Sequence, residues 1–379
     1  LGRTDGEYGC VVAAAVRVVR LSNNDAGALN GADVKDLESG NEFHITARTV
    51  INATGVWTDA LQEMAGGHSD FSVQASKGVH ILVPRDRIDS EVSVFVRAED
   101  SVLFIRTWGT HWLIGTTDTP WEQGLDHPAA SASDIEYLLR KVNRVLNVEL
   151  GVADIDGVYA GLRPLIKGKE GATSDLSREH AVETTVPGFT TIAGGKYTTY
   201  RVMAEDAVNA AIADLQSRGL IDTVANSDTE NIPLIGATDL AEAQTRLQAN
   251  AKSFGVSSEG VDHLLKRYGL MVGELISILK YRPELAAPIA GEGAGGAGYL
   301  RVEALYAVTH EGALHIDDIL TRRTHLSIET PDQGLVGAEE VAQIMGAELG
   351  WDEQRIKREL THYQDRVAAE RDAHTAVDD

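Results

Sequence analysis

Ile192-Ala193-Gly194-Gly195-Lys196-Tyr197-Thr198-Thr199-Tyr200-Arg201 is the stretch that decides how this chain is read. A β-rich run over residues 189–193 reaches two glycines, then a lysine and two threonines, and then opens a helix. From Thr198 on, Val208, Ala211/Ile212 and Leu215 recur at helical spacing. Strand, glycine pair and helix start together form an arrangement that holds negative charge. Glycine lets the backbone approach a ligand closely, while free N–H groups and the positive end of the helix dipole face it. An ordinary tight strand-to-helix turn has the same outline. Lys196 at the turn, with the hydroxyls of Thr198 and Thr199, favours a ligand.

A second stretch repeats the theme. Arg48-Thr49-Val50-Ile51-Asn52-Ala53-Thr54-Gly55-Val56-Trp57 is a buried-strand run ending in small residues and a glycine, and a helix follows over 59–64. Three more motifs come between the two: Lys77-Gly78-x-His80, Gly115-Thr116-Thr117-Asp118-Thr119 and Gly161-Leu162-Arg163-Pro164-Leu165. With Asn52-Ala53-Thr54-Gly55-x-Trp57 and Gly194-Gly195-Lys196-x-Thr198-Thr199-Tyr200-Arg201, the chain resembles the FAD-dependent glycerol-3-phosphate dehydrogenases, within the amino-acid-oxidase-like flavoproteins. The resemblance continues through Glu311-Gly312-Ala313-Leu314 and Asp317-Asp318-Ile319-Leu320-x-Arg322-Arg323-Thr324 and covers nearly the whole chain. There are two departures: Arg106-Thr107 precedes Trp108-Gly109 where many relatives carry proline, and residue 56 is valine where proline is common.

The resemblance implies a mixed α+β and α/β fold. It comprises an FAD-binding domain of glutathione-reductase-like type, an antiparallel β substrate domain and a C-terminal all-α domain. Residues 1–67 are expected to be a remnant of the FAD domain, 68–155 the substrate-side sheet, 156–226 a return to the FAD domain and 227–379 the helical domain. Such flavoproteins open with a strand leading to a Gly-x-Gly-x-x-Gly turn that cradles the pyrophosphate. Nothing before Asn52 supplies it, and the chain opens on Leu1. The sequence is therefore expected to lack the N-terminal part of that domain and, alone, to bind FAD weakly, show no turnover and aggregate.

The implied reaction is oxidation of sn-glycerol 3-phosphate to dihydroxyacetone phosphate, with hydride passing to FAD and electrons to a quinone. A glycerol-3-phosphate oxidase using O2 would need the same residues, and a non-catalytic fragment is the alternative from a different class. The chemistry needs a base, a hydride path and a positive anchor for phosphate. His80 is assigned as proton acceptor or hydroxyl orienter, Arg163 as the bidentate phosphate clamp and Lys196 as a second positive charge. Arg163 is expected to end a strand that Pro164 stops. Ala53, Thr54, Gly55, Trp57, Gly194, Gly195, Lys196, Thr198 and Thr199 are expected around FAD, with Thr198 and the following N–H groups facing the flavin pyrimidine. Arg201 is explained equally well by a helix-surface ion pair.

Composition bounds the rest. The 379 residues suffice for about two to three domains with their own cores. A net charge of −23 disfavours nucleic acid as partner and loose adhesion to anionic lipid. Cys10 is the one cysteine, so no internal disulfide forms, a reducing compartment is expected, and the thiol is expected to be buried in its apolar run. No run of about 18 apolar residues predicts a membrane-spanning helix. The resemblance implies a cytoplasmic protein, with peripheral attachment to the cytoplasmic membrane as in relatives.

Along the chain, strands are expected over 11–21 and 43–53, separated by a polar hairpin region at 22–40, and then over 73–83 and 92–96. A hairpin should pair 101–107 with 112–116 through Trp108-Gly109-Thr110-His111. A core-facing helix is expected over 133–146, a polar linker over 218–231, and helices over 261–268, 272–280, 301–311, 316–323, 338–349 and 352–371. Two patterns mislead. Gly291-Glu292-Gly293-Ala294-Gly295-Gly296 fits Gly-x-Gly-x-x-Gly but follows a proline-broken stretch rather than a strand, so it reads as an interhelical loop. His310, Glu311, His315, Asp317 and Asp318 suggest a metal, yet histidines five apart lie roughly 140° apart on a helix, so capping and ion pairing explain them better.

Overall fold

Among the described residues, three sheets and a helical domain organise the chain. The computed structural model describes every residue except 98–101, 169–178, 239, 251–254, 294–297 and 377–379. After a short helix α1 (Gly2–Glu7) comes an antiparallel meander of β1 (Val16–Asn23), β2 (Leu29–Asp36) and β3 (Glu42–Thr46). The sequence reading differs from it in three places. The strand expected from residue 11 starts only at Val16, because Ala15 takes a left-handed backbone with φ 54° that breaks the extension. The polar region 22–40 hides β2, whose Leu29 and Val34 are buried while charged residues occupy other positions. The run 43–53 divides after β3, and its end becomes β4 (Val50–Asn52) in another sheet. Cys10, expected to be buried, is exposed on the segment before β1.

The largest sheet is antiparallel. It contains β5 (Phe71–Pro84), β6 (Val94–Arg97), β7 (Val102–Trp108), β8 (His111–Gly115) and β10 (Gly157–Gly168), ordered β10-β5-β8-β7-β6, with the two-residue β9 (Thr119–Pro120) pairing on β5. Its period-2 alternation sends Val79, Ile81, Val83, Ile105 and Ile114 to one face, where Ile135, Leu138 and Val142 of α3 (Ala132–Val142) cover them. Each such fully buried side chain stabilises by about 1.5–3 kcal/mol over exposure. Ser131 and Asp134 form a capping box at the start of α3. The helix stops short of the expected residue 146, since the Asn143 amide exchanges hydrogen bonds with Leu150 and draws the chain away.

Arg163 does not end its strand. Pro164 lies inside β10, which runs on to Gly168; β10 is an edge strand, where a missing N–H can face away from the ladder. The chain therefore leaves the large sheet after β10, not near 156, and joins the smaller sheet at β11 (His180–Val186) and β12 (Phe189–Gly194). β11 and β12 form a hairpin through Pro187-Gly188, and β12 runs parallel to β4, with Thr191 opposite Asn52. Both parallel strands lead into helices, α2 (Thr58–Ala65) and α4 (Tyr200–Ser217). The buried stripe of α4 is Ala207, Ala211 and Leu215, whereas Val208 is exposed.

Beyond a largely irregular linker, the chain is helical: α5 (Leu240–Asn250), α6 (Ser258–Tyr268), α7 (Val272–Tyr281), α8 (Arg301–Glu311), a π-helical segment (Asp318–Arg323), α9 (Leu326–Glu329), α10 (Leu335–Leu349) and α11 (Glu353–Thr375). Two cores sit here, one around Leu264, Leu275 and Tyr306, the other around Leu320, Val341 and Met345. The loop holding Gly291 to Gly296 lies partly outside the described residues.

Candidate functional site

The face of the large sheet opposite α3 carries the candidate site. Strand register places Tyr159, His80, Gly115, Phe104 and Phe95 side by side across β10, β5, β8, β7 and β6. Gly115 has no side chain, and the His80 ring fills the space a Cβ would take. One step along, Gly78 does the same for the Arg163 guanidinium. Two glycines thus make two sockets, one for an imidazole and one for a guanidinium, on neighbouring strands. That is the physical content of Lys77-Gly78-x-His80. Lys77 itself points to the other face, buried, 2.7 Å from the Asp134 carboxylate and over the Trp121 ring. It ties β5 to α3.

The His80 ring is stacked on Tyr159, with centroids 4.9 Å apart and planes 11° from parallel, and tilted against Phe104 at 5.4 Å. Its Nδ1 is buried without a hydrogen-bond partner among the described residues. Burial, aided by the nearby Arg163 charge, pushes the imidazole down to about 4, so it is neutral at ordinary pH and open to a proton. Burial also raises the Tyr159 phenol, against the pull of Arg106, and keeps it protonated.

Arg163 donates to Thr116 Oγ1 at 2.8 Å and to the Thr117 carbonyl at 3.2 Å, and pairs with Asp118 at 3.3 Å. Ser76 Oγ donates to the same Asp118 carboxylate. The guanidinium is partly exposed, with its charge partly met by a carboxylate that an incoming anion would have to displace. Lys196 does not join it directly: it is exposed at the β12–α4 turn, where its carbonyl accepts from the Thr199 N–H and hydroxyl, each at 3.0 Å. Arg201 pairs with Glu205 one turn along α4, the helix-surface explanation.

The two glycine turns lie at the C-terminal ends of adjacent parallel strands, the place where open α/β sheets receive ligands. Asn52 stitches them together, donating to the Thr58 carbonyl at 3.1 Å and to Thr191 Oγ1 at 3.4 Å, while accepting from Thr54 Oγ1 at 2.6 Å. Gly55, Gly194 and Gly195 take φ of 60°, 74° and 75°, which a side chain resists. Ile166 of β10 packs into the space beside Gly194, and the turn Gly55–Trp57 packs on β5 and β10. These packings link the turns to the sheet that carries His80 and Arg163. Ala53, Trp57, Thr198 and Thr199 sit on the same turns, and all four are exposed. This glycine-lined and cation-bearing surface suits an anionic dinucleotide's flavin end. Among the described residues, no strand leads into a Gly-x-Gly-x-x-Gly turn.

Sequence reasoning missed Tyr159 and gave Asp118 no role. Tyr159 faces His80 only through strand pairing, and no local pattern reports that pairing.

Comparison with known proteins agrees with this architecture. Residues 7–201 match the FAD dependent oxidoreductase family and residues 227–356 the C-terminal domain of alpha-glycerophosphate oxidase. Glycerol-3-phosphate dehydrogenase of Mycobacterium leprae is 47% identical over 370 residues, covering 98% of this chain and 62% of the relative. The mitochondrial human glycerol-3-phosphate dehydrogenase is 31% identical, over 94% of this chain and 49% of its own. The chain thus spans about three-fifths or less of the length of these relatives. The structure of glycerol-3-phosphate dehydrogenase from Bacillus halodurans, complexed with FAD, superposes with a TM-score of 0.82 at 24% identity, over 98% of this chain and 72% of that one; it shows a shared fold. The chain belongs to the FAD-dependent oxidoreductase family, and the relatives it resembles within that family are glycerol-3-phosphate dehydrogenases.

Proposed function

We propose that this chain serves the FAD-dependent oxidation of sn-glycerol 3-phosphate to dihydroxyacetone phosphate, with electrons passed on to a quinone. The observation that carries the reading is the pair of sockets that hold His80 and Arg163 on neighbouring strands of one sheet face. FAD, when bound, supplies the hydride acceptor. Arg163 binds the phosphate, exchanging Asp118 for the anion. His80, neutral before substrate arrives, takes the proton of the secondary hydroxyl and orients it. The turns at Ala53–Trp57 and Gly194–Thr199 hold the flavin end, with Lys196 adding positive charge where reduction places negative charge.

O2 as acceptor is the second reading, favoured by the match of residues 227–356 to a domain of alpha-glycerophosphate oxidase. The dehydrogenase names of the relatives favour a quinone. Among the described residues no helix is long and apolar enough to cross a membrane. A quinone dissolved in lipid calls for the protein to work at a membrane surface, which we propose to be the cytoplasmic one, reached by peripheral attachment. The test is turnover of the flavin-loaded protein on glycerol 3-phosphate with a soluble quinone analogue, against peroxide release in air. Quinone-dependent turnover without peroxide supports the first reading, and stoichiometric peroxide overturns it.

A further inference from the structure

We propose that Tyr159 is a positioning residue for His80, fixing the plane of the imidazole and shielding it from water, so that its ring and not its hydroxyl sets the rate of alcohol oxidation. The inference rests on the reading of His80 as the proton acceptor. Three observations carry it. The two rings are nearly parallel at 4.9 Å, while Phe104 touches the other side at a tilt. The imidazole is therefore wedged between aromatic walls, with Gly115 beneath it.

Second, no hydrogen bond orients the ring at Nδ1 among the described residues. A histidine is usually held by a bond from its second nitrogen to a carboxylate or carbonyl. Here stacking takes over that task. Third, Tyr159, stacked on His80, lines a cavity of about 480 Å3 with Trp108 and His325 that His80 itself does not line. Its strand is held there two residues earlier, where Gly157 lies against the Ile328 backbone of α9 with no room for a Cβ. Removal of the ring would open His80 to that space. The charged groups around the pair are Arg163, which disfavours the imidazolium, and Arg106, which acts on the phenol.

The experiment uses the flavin-loaded protein and the variants Tyr159→Phe, Tyr159→Leu and His80→Asn, with Tyr159→Met in place of the leucine variant if that one does not fold. Anaerobic flavin reduction by glycerol 3-phosphate is timed across pH, and the His80 ring is titrated by NMR without substrate. Tyr159→Phe should match the wild type in both. Tyr159→Leu should slow reduction tenfold or more with KM within twofold, and should move the His80 titration upward from about 4 towards the ordinary histidine value. Wild-type rate and titration in Tyr159→Leu, with His80→Asn slow, would overturn this inference alone. A normal rate in His80→Asn would overturn the underlying reading of His80 and this inference with it.

Discussion

Arg163 is engaged before any substrate arrives. Its guanidinium spans Thr116, Thr117 and Asp118 and so orders that loop. Asp118 keeps the arginine extended across the Gly78 socket, and on the proposed reading the substrate phosphate competes with it. Arg163→Ala in the flavin-loaded protein should raise KM for glycerol 3-phosphate by about 30-fold to several thousand-fold, since losing one partner of a charge-assisted pair costs about 2–5 kcal/mol. Flavin content should stay near normal. Steady-state kinetics beside the visible spectrum checks this, and an unchanged KM removes Arg163 from the site. Asp118→Asn should act in the opposite sense, lowering KM by freeing the cation, at a cost in loop order readable as faster proteolysis near residue 118.

At the scale of elements, the site is a product of strand register. His80 and Arg163 lie on different strands and meet because β5 and β10 pair Gly78 with Gly161 and His80 with Tyr159. The sockets are single glycines, so single methyl groups should close them. Gly115→Ala would drive the His80 ring aside, and a displacement of about 1 Å can cost on the order of 10²-fold in rate. We expect flavin reduction to slow accordingly while far-UV circular dichroism is preserved. A variant with wild-type kinetics would mean that the socket does not position the ring.

The same register explains what the sequence could and could not disclose. The strand-glycine-helix turns at Thr54-Gly55 and Gly194-Gly195 were legible because their signal is local, and so were α6, α7, α8, α10 and α11 with their 3.6-residue periodicity, whereas the four-residue α9 is too short to show one. β2 was hidden because a polar edge meander lacks clean alternation. The extent of β10 was hidden because Pro164 reads as a stop until the strand is known to lie at an edge. Tyr159 had no local signal at all.

Across the whole molecule, the helical domain is bound to the sheets by polar contacts beside the site. Trp108 Nε1 donates to Glu329 at 2.8 Å, and Tyr299 donates to the same carboxylate at 3.0 Å. Farther out, His315 lies between Glu38 of the β2–β3 turn, at 2.8 Å, and Glu359 of α11, at 3.1 Å, with Arg355 reaching both carboxylates. The hydrogen bond that His315 donates to Glu359, opposed by burial and aided by both carboxylate charges, pushes the imidazole up to about 9. Its folded value lies above the unfolded one near 6.5, so its stabilisation is complete below pH 6.5 and lost as pH rises through about 9. With the group partly open to solvent, the contribution is about 1 kcal/mol. Urea unfolding should show His315→Ala weaker than wild type at pH 6.5 and equal to it near pH 10. A gap that persists at high pH would mean the ring acts by packing and not by charge.

The claim that joins these scales is that one face of an antiparallel sheet takes the proton and the phosphate while the glycine turns hold the flavin. Anaerobic stopped-flow reduction of the bound flavin by sn-glycerol 3-phosphate, in wild type and His80→Ala of equal flavin content, tests it most directly. Reduction should slow by on the order of 10²–10⁴-fold in the variant. Reduction at the wild-type rate would contradict it.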